Sequence, residues 1–226
     1  MVQHQLPHPL PAAAAAYPGV LLVDHPAVTD RVTLLRDVLT PSNVFRQLVS
    51  EVSAFVAYET LRDLQMTEAE IDTPVTAGVR FPRIAETVLL VPVLRAGLGM
   101  VQSIQELLPL TRVAHVGLRR DEVTHQSNVY LNRLPSDLAE RRVVVCDPML
   151  ATGGSLAQVC SLVADRGATD ITALCLIASV PGLQYFHSVH PQVRVACAAV
   201  DLELNDQAYI VPGLGDAGDR LFGPPD

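Results

Sequence analysis

Nine consecutive residues, Asp147-Pro148-Met149-Leu150-Ala151-Thr152-Gly153-Gly154-Ser155, bring together a carboxylate, two hydroxyls and two adjacent glycines. The run before them, Val143-Val144-Val145-Cys146, is apolar and Val-rich, as a strand buried on both faces requires. The run after them places Leu156, Val159, Cys160, Leu162 and Val163 at helical spacing. A strand that passes through an acid and a small-residue turn into a helix makes an anion cradle. Glycine lets the backbone approach closely, and the free N–H groups of the first helical turn point at the ligand. Thr152 and Ser155 add donors. The chemistry predicted is phosphate binding, with a sugar-binding acid at the lip.

A second segment of this kind is Val91-Pro92-Val93-Leu94-Arg95-Ala96-Gly97-Leu98-Gly99-Met100. An arginine followed by small residues at a strand-to-helix turn offers a bidentate cation beside exposed N–H groups. Arg119-Arg120-Asp121-Glu122 falls just beyond another strand-like run ending at Leu118. The tail, Tyr209-Ile210-Val211-Pro212-Gly213-Leu214-Gly215-Asp216-Ala217-Gly218-Asp219, has three glycines and two acids within residues 213–219. That density next to an apolar run fits a backbone-lined pocket for a small planar ligand. The seven histidines form no H-E-x-x-H pattern and none is assigned to a metal, and no serine sits in a G-x-S-x-G elbow.

The elements that must position these residues follow from periodicity. Strand-like runs at 88–93, 112–118, 142–147, 170–178 and 193–200 alternate with helical runs at 97–108, 154–166 and 181–189. This is an α/β array with a mainly parallel sheet flanked by helices, whose ligands gather beyond the carboxyl ends of the strands. Ahead of it, Val28, Val32, Leu35 and Leu39 predict one helix over 28–39. Thr40 as N-cap and Pro41 at the first position start a second, with a stripe from Val44 towards Leu61. These helices read as a packing or dimerisation element. Residues 66–83 read as a short edge hairpin around Ala77-Gly78, residues 123–132 as a loop, and 1–20, with five consecutive alanines, as an irregular arm. The domain division is thus an arm over 1–20 and one domain over 21–226. Within that domain, helices occupy 21–66, the α/β core 88–200 and a hood or tail 201–226.

Composition narrows the function. All 16 basic residues are arginine, which excludes a Walker-type phosphate loop and Schiff-base chemistry, since both need lysine. A net charge of −8 argues against a nucleic-acid surface, no apolar run approaches the ~18 residues of a membrane span, and Cys146, Cys160, Cys175 and Cys197 fit buried thiols in a reduced, cytoplasmic chain.

Taken together, the segments at 92–100, 147–155 and 212–219 resemble the uracil phosphoribosyltransferase family, and the resemblance extends from about Asp24 to Phe222. It implies the type I phosphoribosyltransferase fold, a mainly parallel twisted sheet. It also implies transfer of the phosphoribosyl group from 5-phosphoribosyl 1-diphosphate (PRPP) to uracil, giving UMP and pyrophosphate in pyrimidine salvage. The displacement is dissociative, with Mg²⁺ carried in on PRPP and no covalent enzyme intermediate. By the same resemblance, Asp147, Asp216 and Arg95 are catalytic, and PRPP is held by Arg95, Arg120, residues Asp147 to Ser155 and Asp216. Uracil meets Tyr209, Ile210, Gly215, Asp216 and Ala217. The family further implies a homodimer or homotetramer, GTP as an activator, and no nucleic-acid or membrane partner. Many transferases of the superfamily carry two adjacent acids before the phosphate turn. Pro148 takes the second place here, as it does in this subfamily. The run after Glu122 lacks the second Glu and the prolines usual in the family.

Overall fold

The structure is a computed structural model and describes residues 19–120 and 127–223, with the backbone alone at Arg120 and Ser127. Its centre is a sheet built on two strands, β4 (Val88–Leu94), apolar throughout, and β8 (Arg142–Cys146), apolar after its first residue, which lie side by side and parallel. Alternation sends their side chains to opposite faces. Leu89, Val91, Val143 and Val145 join one buried cluster, and Val88, Leu90, Val144 and Cys146 join the other.

Around this pair the sheet order is β1, β12, β10, β8, β4, β6, β7, with β5 pairing the start of β4. The remaining strands of the sheet are β1 (Val20–Leu22), β5 (Arg112–Val113), β6 (Val116–Arg120), β7 (Ser127–Asn132), β10 (Asp170–Leu174) and β12 (Arg194–Cys197). Every pairing is parallel except β6 with β7. The mainly parallel α/β fold expected from the alternating pattern is the fold observed. A separate antiparallel hairpin, β2 (Met66–Ile71) with β3 (Val79–Ile84), turns through 72–78, where Gly78 has a φ of +67°.

The helices divide between the faces. The cluster on one face includes Val28, Val32 and Leu35 of α1 (Pro26–Arg36), Phe45, Leu48, Val49, Val52 and Val56 of α2 (Ser42–Thr60), and Met100 and Ile104 of α3 (Leu98–Leu107). The other cluster takes Leu156, Val159, Cys160 and Val163 of α4 (Gly154–Ala164) with Leu183 and Phe186 of α5 (Val180–Val189). Each such side chain contributes roughly 1.5–3 kcal/mol through burial. The chain therefore crosses from one face to the other between β4 and β8, which puts a topological switch point beside those strands' carboxyl ends. All four cysteines are buried and free. Burial pushes the Cys146 and Cys160 thiols up to about 12. Among the described residues, no helix is long and apolar enough to cross a membrane.

Several boundaries differ from the sequence reading. The first helix ends at Arg36 rather than Leu39, because Val38 and Leu39 are 88% and 83% exposed and have no core beneath them. The second begins at Ser42 with Pro41 as its N-cap; the Thr40 hydroxyl donates back to the Leu34 carbonyl instead. Residues 127–132, expected as loop, form β7, held by the backbone ladder to β6 rather than by an apolar face. The runs 112–118, 170–178 and 193–200 are each interrupted, and the last two interruptions shape the site. The edge strand β1 lies at the end of the expected arm; residues 1–18 and 121–126 fall outside the described residues.

Candidate active site

Three parallel strands stop and restart at one level. β8 resumes as β9 (Met149–Leu150), β10 as β11 (Ile177–Ser179) and β12 as β13 (Ala199–Asp201), and the three restarts form a small parallel sheet. At the break, the N–H groups of Leu176 and Ile177 both donate to the Pro148 carbonyl, at 2.9 and 3.1 Å. Those of Ala198 and Ala199 both donate to the Leu176 carbonyl, at 3.0 and 3.1 Å. Two donors on one acceptor is the signature of a bulge, which re-aims the side chains next to it. Pro148 cannot donate, and a bulge is where a sheet tolerates proline. Pro148 is buried here, while its neighbour Asp147 opens into a pocket of about 610 Å³.

Every other member of 147–155 lines that pocket. The turn into α4 is shaped by close approach. Gly153 takes a φ of +80°, and a Cβ there would lie 2.6 Å from the Gly182 carbonyl oxygen. Reciprocally, a Cβ on Gly182 would lie 2.2 Å from the Ala151 oxygen. Ser179 locks the contact: its hydroxyl donates to the Ala151 carbonyl at 2.5 Å and accepts from the Gly182 N–H at 2.9 Å, which caps α5. No side chain caps α4, so its N-terminal turn faces the pocket as a donor surface.

The Asp147 carboxyl accepts the Met149 N–H at 3.3 Å. Burial pushes it up to about 7; the Met149 hydrogen bond opposes the shift and the nearby charge of Asp216 adds to it. A carboxyl held near neutrality by its surroundings is poised to accept hydrogen bonds or a cation. Among the described residues no group of three or more acids, histidines or cysteines could hold a metal ion. Asp147 and Asp216 are near enough for the charge of one to act on the other.

The Arg95 turn and the tail reach Asp147 from the other side. Gly97 packs under the β8 terminus, where a Cβ would lie 2.3 Å from the Cys146 carbonyl oxygen. The Leu94–Arg95 peptide bond is cis, and the Arg95 side chain, 52% exposed, lies 3.7 Å from Asp219. Asp219 belongs to α6 (Ala217–Phe222), whose N-cap is Asp216, accepting the Asp219 N–H at 2.9 Å. Before it, β15 (Ile210–Val211) pairs antiparallel with β14 (Glu203–Leu204). Ile210 and Ala217 are buried, Gly215 and Asp216 are exposed, and Tyr209 is 41% exposed. Arg95 and the tail residues 209–217 adjoin the pocket rather than line it. The sequence-predicted residues thus converge on the carboxyl end of β8. The exception is Arg120, which ends β6 and whose side chain lies outside the described residues.

Sequence reasoning missed the far wall and the supports. Leu118, Gln158, Tyr185 and Ala208, with Leu156 of the expected helical stripe, complete the pocket lining. Arg36 and Asp201, 165 positions apart, form a bidentate pair with both distances 2.7 Å, and Arg220 ties the tail to Leu35 and Asp37. Only the helical phase of α4 could have revealed Gln158, one turn after Gly154; nothing local marks the others.

A family model described as uracil phosphoribosyltransferase matches residues 22–224. A Clostridium perfringens uracil phosphoribosyltransferase is 50% identical over 201 residues, which is 89% of this chain and 96% of that protein. A Staphylococcus aureus one is 46% identical over 204 residues, covering 90% and 98%. Among solved structures, the AQ2163 protein from Aquifex aeolicus superposes with a TM-score of 0.86 at 33% identity, covering 90% of this chain and 98% of that one. With the 147–155 turn, the Arg95 turn and the glycine-rich tail gathered at one strand end, this chain belongs to the uracil phosphoribosyltransferase family of pentosyltransferases.

Proposed function

We propose that the protein transfers the 5-phosphoribosyl group of PRPP to uracil, giving UMP and pyrophosphate. The observation that carries this reading is the position of Asp147. It stands between an uncapped, glycine-shaped helix N-terminus on one side and the Asp216 tail on the other. The turn 151–155 suits a 5′-phosphate, with backbone N–H groups and the Thr152 and Ser155 hydroxyls as donors. Asp147 suits the ribose hydroxyls, which donate to its ionised form. Arg95, exposed and only loosely engaged at 3.7 Å from Asp219, is free to turn towards a diphosphate.

Displacing pyrophosphate from the anomeric carbon passes through a cation-like sugar, so the protein's task is placement, charge neutralisation and exclusion of water. The residues holding the sugar and phosphate keep the anomeric carbon fixed while the base approaches from the tail. Asp147 and Asp216 would contact Mg²⁺ carried in on the diphosphate, where the ion supplies neutralisation of leaving-group charge. Backbone groups of Ile210 and Gly215 suit the acceptor–donor–acceptor edge of uracil. The amino group of cytosine would face a donor there, at a cost of ~1–3 kcal/mol for each unpaired group. A homodimer or homotetramer is supported by the β2–β3 hairpin, which leaves Met66, Phe81 and Ile84 exposed and would be marginal alone.

The test is product formation from PRPP with uracil, cytosine or orotate, with and without Mg²⁺ and GTP. UMP is expected from uracil only, and only with Mg²⁺. No UMP at any PRPP concentration would overturn the reading.

A further inference from the structure

The two N-terminal helices read from sequence as packing elements, yet the last turn of α1 reaches the base end of the site. Asp201, at the end of β13, is 2% exposed. Arg36, the last residue of α1, donates to both of its carboxylate oxygens at 2.7 Å. The pair also grips one tail residue at both ends of its backbone. The Gly213 N–H donates to Asp201 Oδ2 at 3.0 Å, and the Gly213 carbonyl accepts from Arg36 Nη1 at 2.8 Å. Gly213 is itself tightly turned, with φ +59°, and a Cβ there would lie 2.2 Å from the Ile210 oxygen. Next to it, Arg220 donates to the Leu214 carbonyl at 2.8 Å and lies over the Phe45 ring at 4.1 Å, so the same turn is held again by α2.

A carboxylate withdrawn from solvent costs free energy unless its lone pairs are filled, and here three donors fill them. Neither Arg36 nor Asp201 lines the pocket. What they fix is the backbone of 210–215. If that stretch presents uracil with its donors and acceptors, its order depends on this clamp. We infer that Arg36 and Asp201 are positioning residues for base selection. They set the path of the tail backbone through Gly213, and thereby hold the Ile210 and Gly215 groups in the arrangement that accepts uracil and rejects cytosine. The inference rests on the reading of the tail as the uracil half of the site.

The experiment is steady-state kinetics on the full chain for Asp201→Asn, Arg36→Lys and Gly215→Ala beside wild type. KM is measured separately for uracil and for PRPP, the uracil-to-cytosine ratio of kcat/KM is taken, and melting temperature is recorded. Asn retains the shape but replaces one acceptor oxygen with a donor. Lys keeps the charge but cannot reach both carboxylate oxygens and the Gly213 carbonyl at once. Both are expected to raise KM for uracil about 10-fold and to lower the uracil preference by a similar factor, with KM for PRPP within about 2-fold. A rise of both KM values together, or a lowered melting temperature with the uracil preference intact, would reduce the pair to a structural brace and overturn the inference. If Asp201→Asn does not fold, Arg36→Lys is judged by the same criteria. Gly215→Ala separates the two levels: if it leaves uracil kinetics unchanged, the tail reading fails. If it raises KM for uracil while the clamp variants do not, only the clamp fails.

Discussion

The two ends of the central sheet handle charge in opposite ways. At the amino end, Arg142 is only 8% exposed and faces Asp63 at 2.6 Å, Asp170 at 2.8 Å and Glu86 at 3.6 Å. Arg194 shares Asp63 and Asp170 at 3.1 and 3.4 Å. Burial opposes the charge on Arg142, but the acids around it more than offset that and raise it further. Asp63 is likewise held below its ordinary value by Arg142 and Arg194, although its own desolvation works the other way. At the carboxyl end the backbone bulges, Asp147 is pushed up to about 7, and Arg95 stays half exposed. Charges matched inside the protein bind a fold together; charges left in want of a partner await a ligand. On this contrast the same kind of substitution should cost activity at one end and stability at the other.

The largest effect expected is on activity. On the proposed function, Asp147→Asn removes the ionised acceptor of hydrogen bonds donated by the ribose hydroxyls, worth about 1.5–3 kcal/mol, or roughly 10- to 100-fold in kcat/KM for PRPP. Above pH 7 the variant should be at least as stable to denaturant as wild type, because an ionised carboxylate is no longer held among apolar neighbours. A clear loss of stability with unchanged PRPP kinetics would erase the contrast.

Arg142→Met is the mirror experiment. It leaves Glu86 without its arginine and Asp63 and Asp170 with Arg194 alone, and should lower unfolding free energy by about 2 kcal/mol in urea. That is less than the ~3–5 kcal/mol of a fully buried pair, since solvent reaches Asp63 and Asp170, 56% and 40% exposed. KM for PRPP is expected within about 2-fold of wild type.

pH sharpens the comparison because the two ends titrate with opposite sign. Asp147 binds a proton more readily folded than unfolded. Its contribution to the ligand-free protein is therefore greatest below its unfolded value of about 3.9 and is lost as pH rises through about 7. Asp63 is depressed, so its contribution is present above about 3.9 and is lost as pH falls through the lower folded value. Subtracting Asp147→Asn from wild type across pH 4–8 should isolate a falling limb, while affinity for ribose 5-phosphate rises over the same interval as the carboxylate ionises. A flat difference curve would mean that Asp147 is not held protonated.

How much of this was legible in the sequence depended on whether a signal was local. The alternation over 88–200 could be read because strands buried on both faces must be apolar throughout, and helices between them must show period 3.6. The same saturation hid the breaks at 175–176 and 198, since a run such as Ile171–Ala178 looks alike whether straight or bulged. β7 went unread because Asn128, Val129 and Tyr130 are all exposed, and its order comes from β6. The turn 147–155 announced itself through glycines, hydroxyls and an acid. Arg36 with Asp201 could not, as each is ordinary in its own neighbourhood and the pairing exists only once β13 and α1 meet.

The smallest effect expected tests where the boundary between the two kinds of residue runs. Ser179 is fully buried at the carboxyl end, yet its partners are all protein: the Ala151 carbonyl and the Gly182 N–H. By burial and satisfaction it belongs with Arg142; by position it belongs with Asp147. Ser179→Ala removes a helix cap and leaves the Ala151 oxygen without this donor, which should cost about 1 kcal/mol of stability. Because Ala151 lies within the phosphate turn and Gly182 packs against Gly153, relaxation there should also raise KM for PRPP, by about 3-fold, with KM for uracil unmoved. A stability loss with no change in KM for PRPP would show that satisfied polar groups are structural at either end of the sheet. A rise in KM for PRPP would place the boundary one layer deeper, at the residues that hold the phosphate turn.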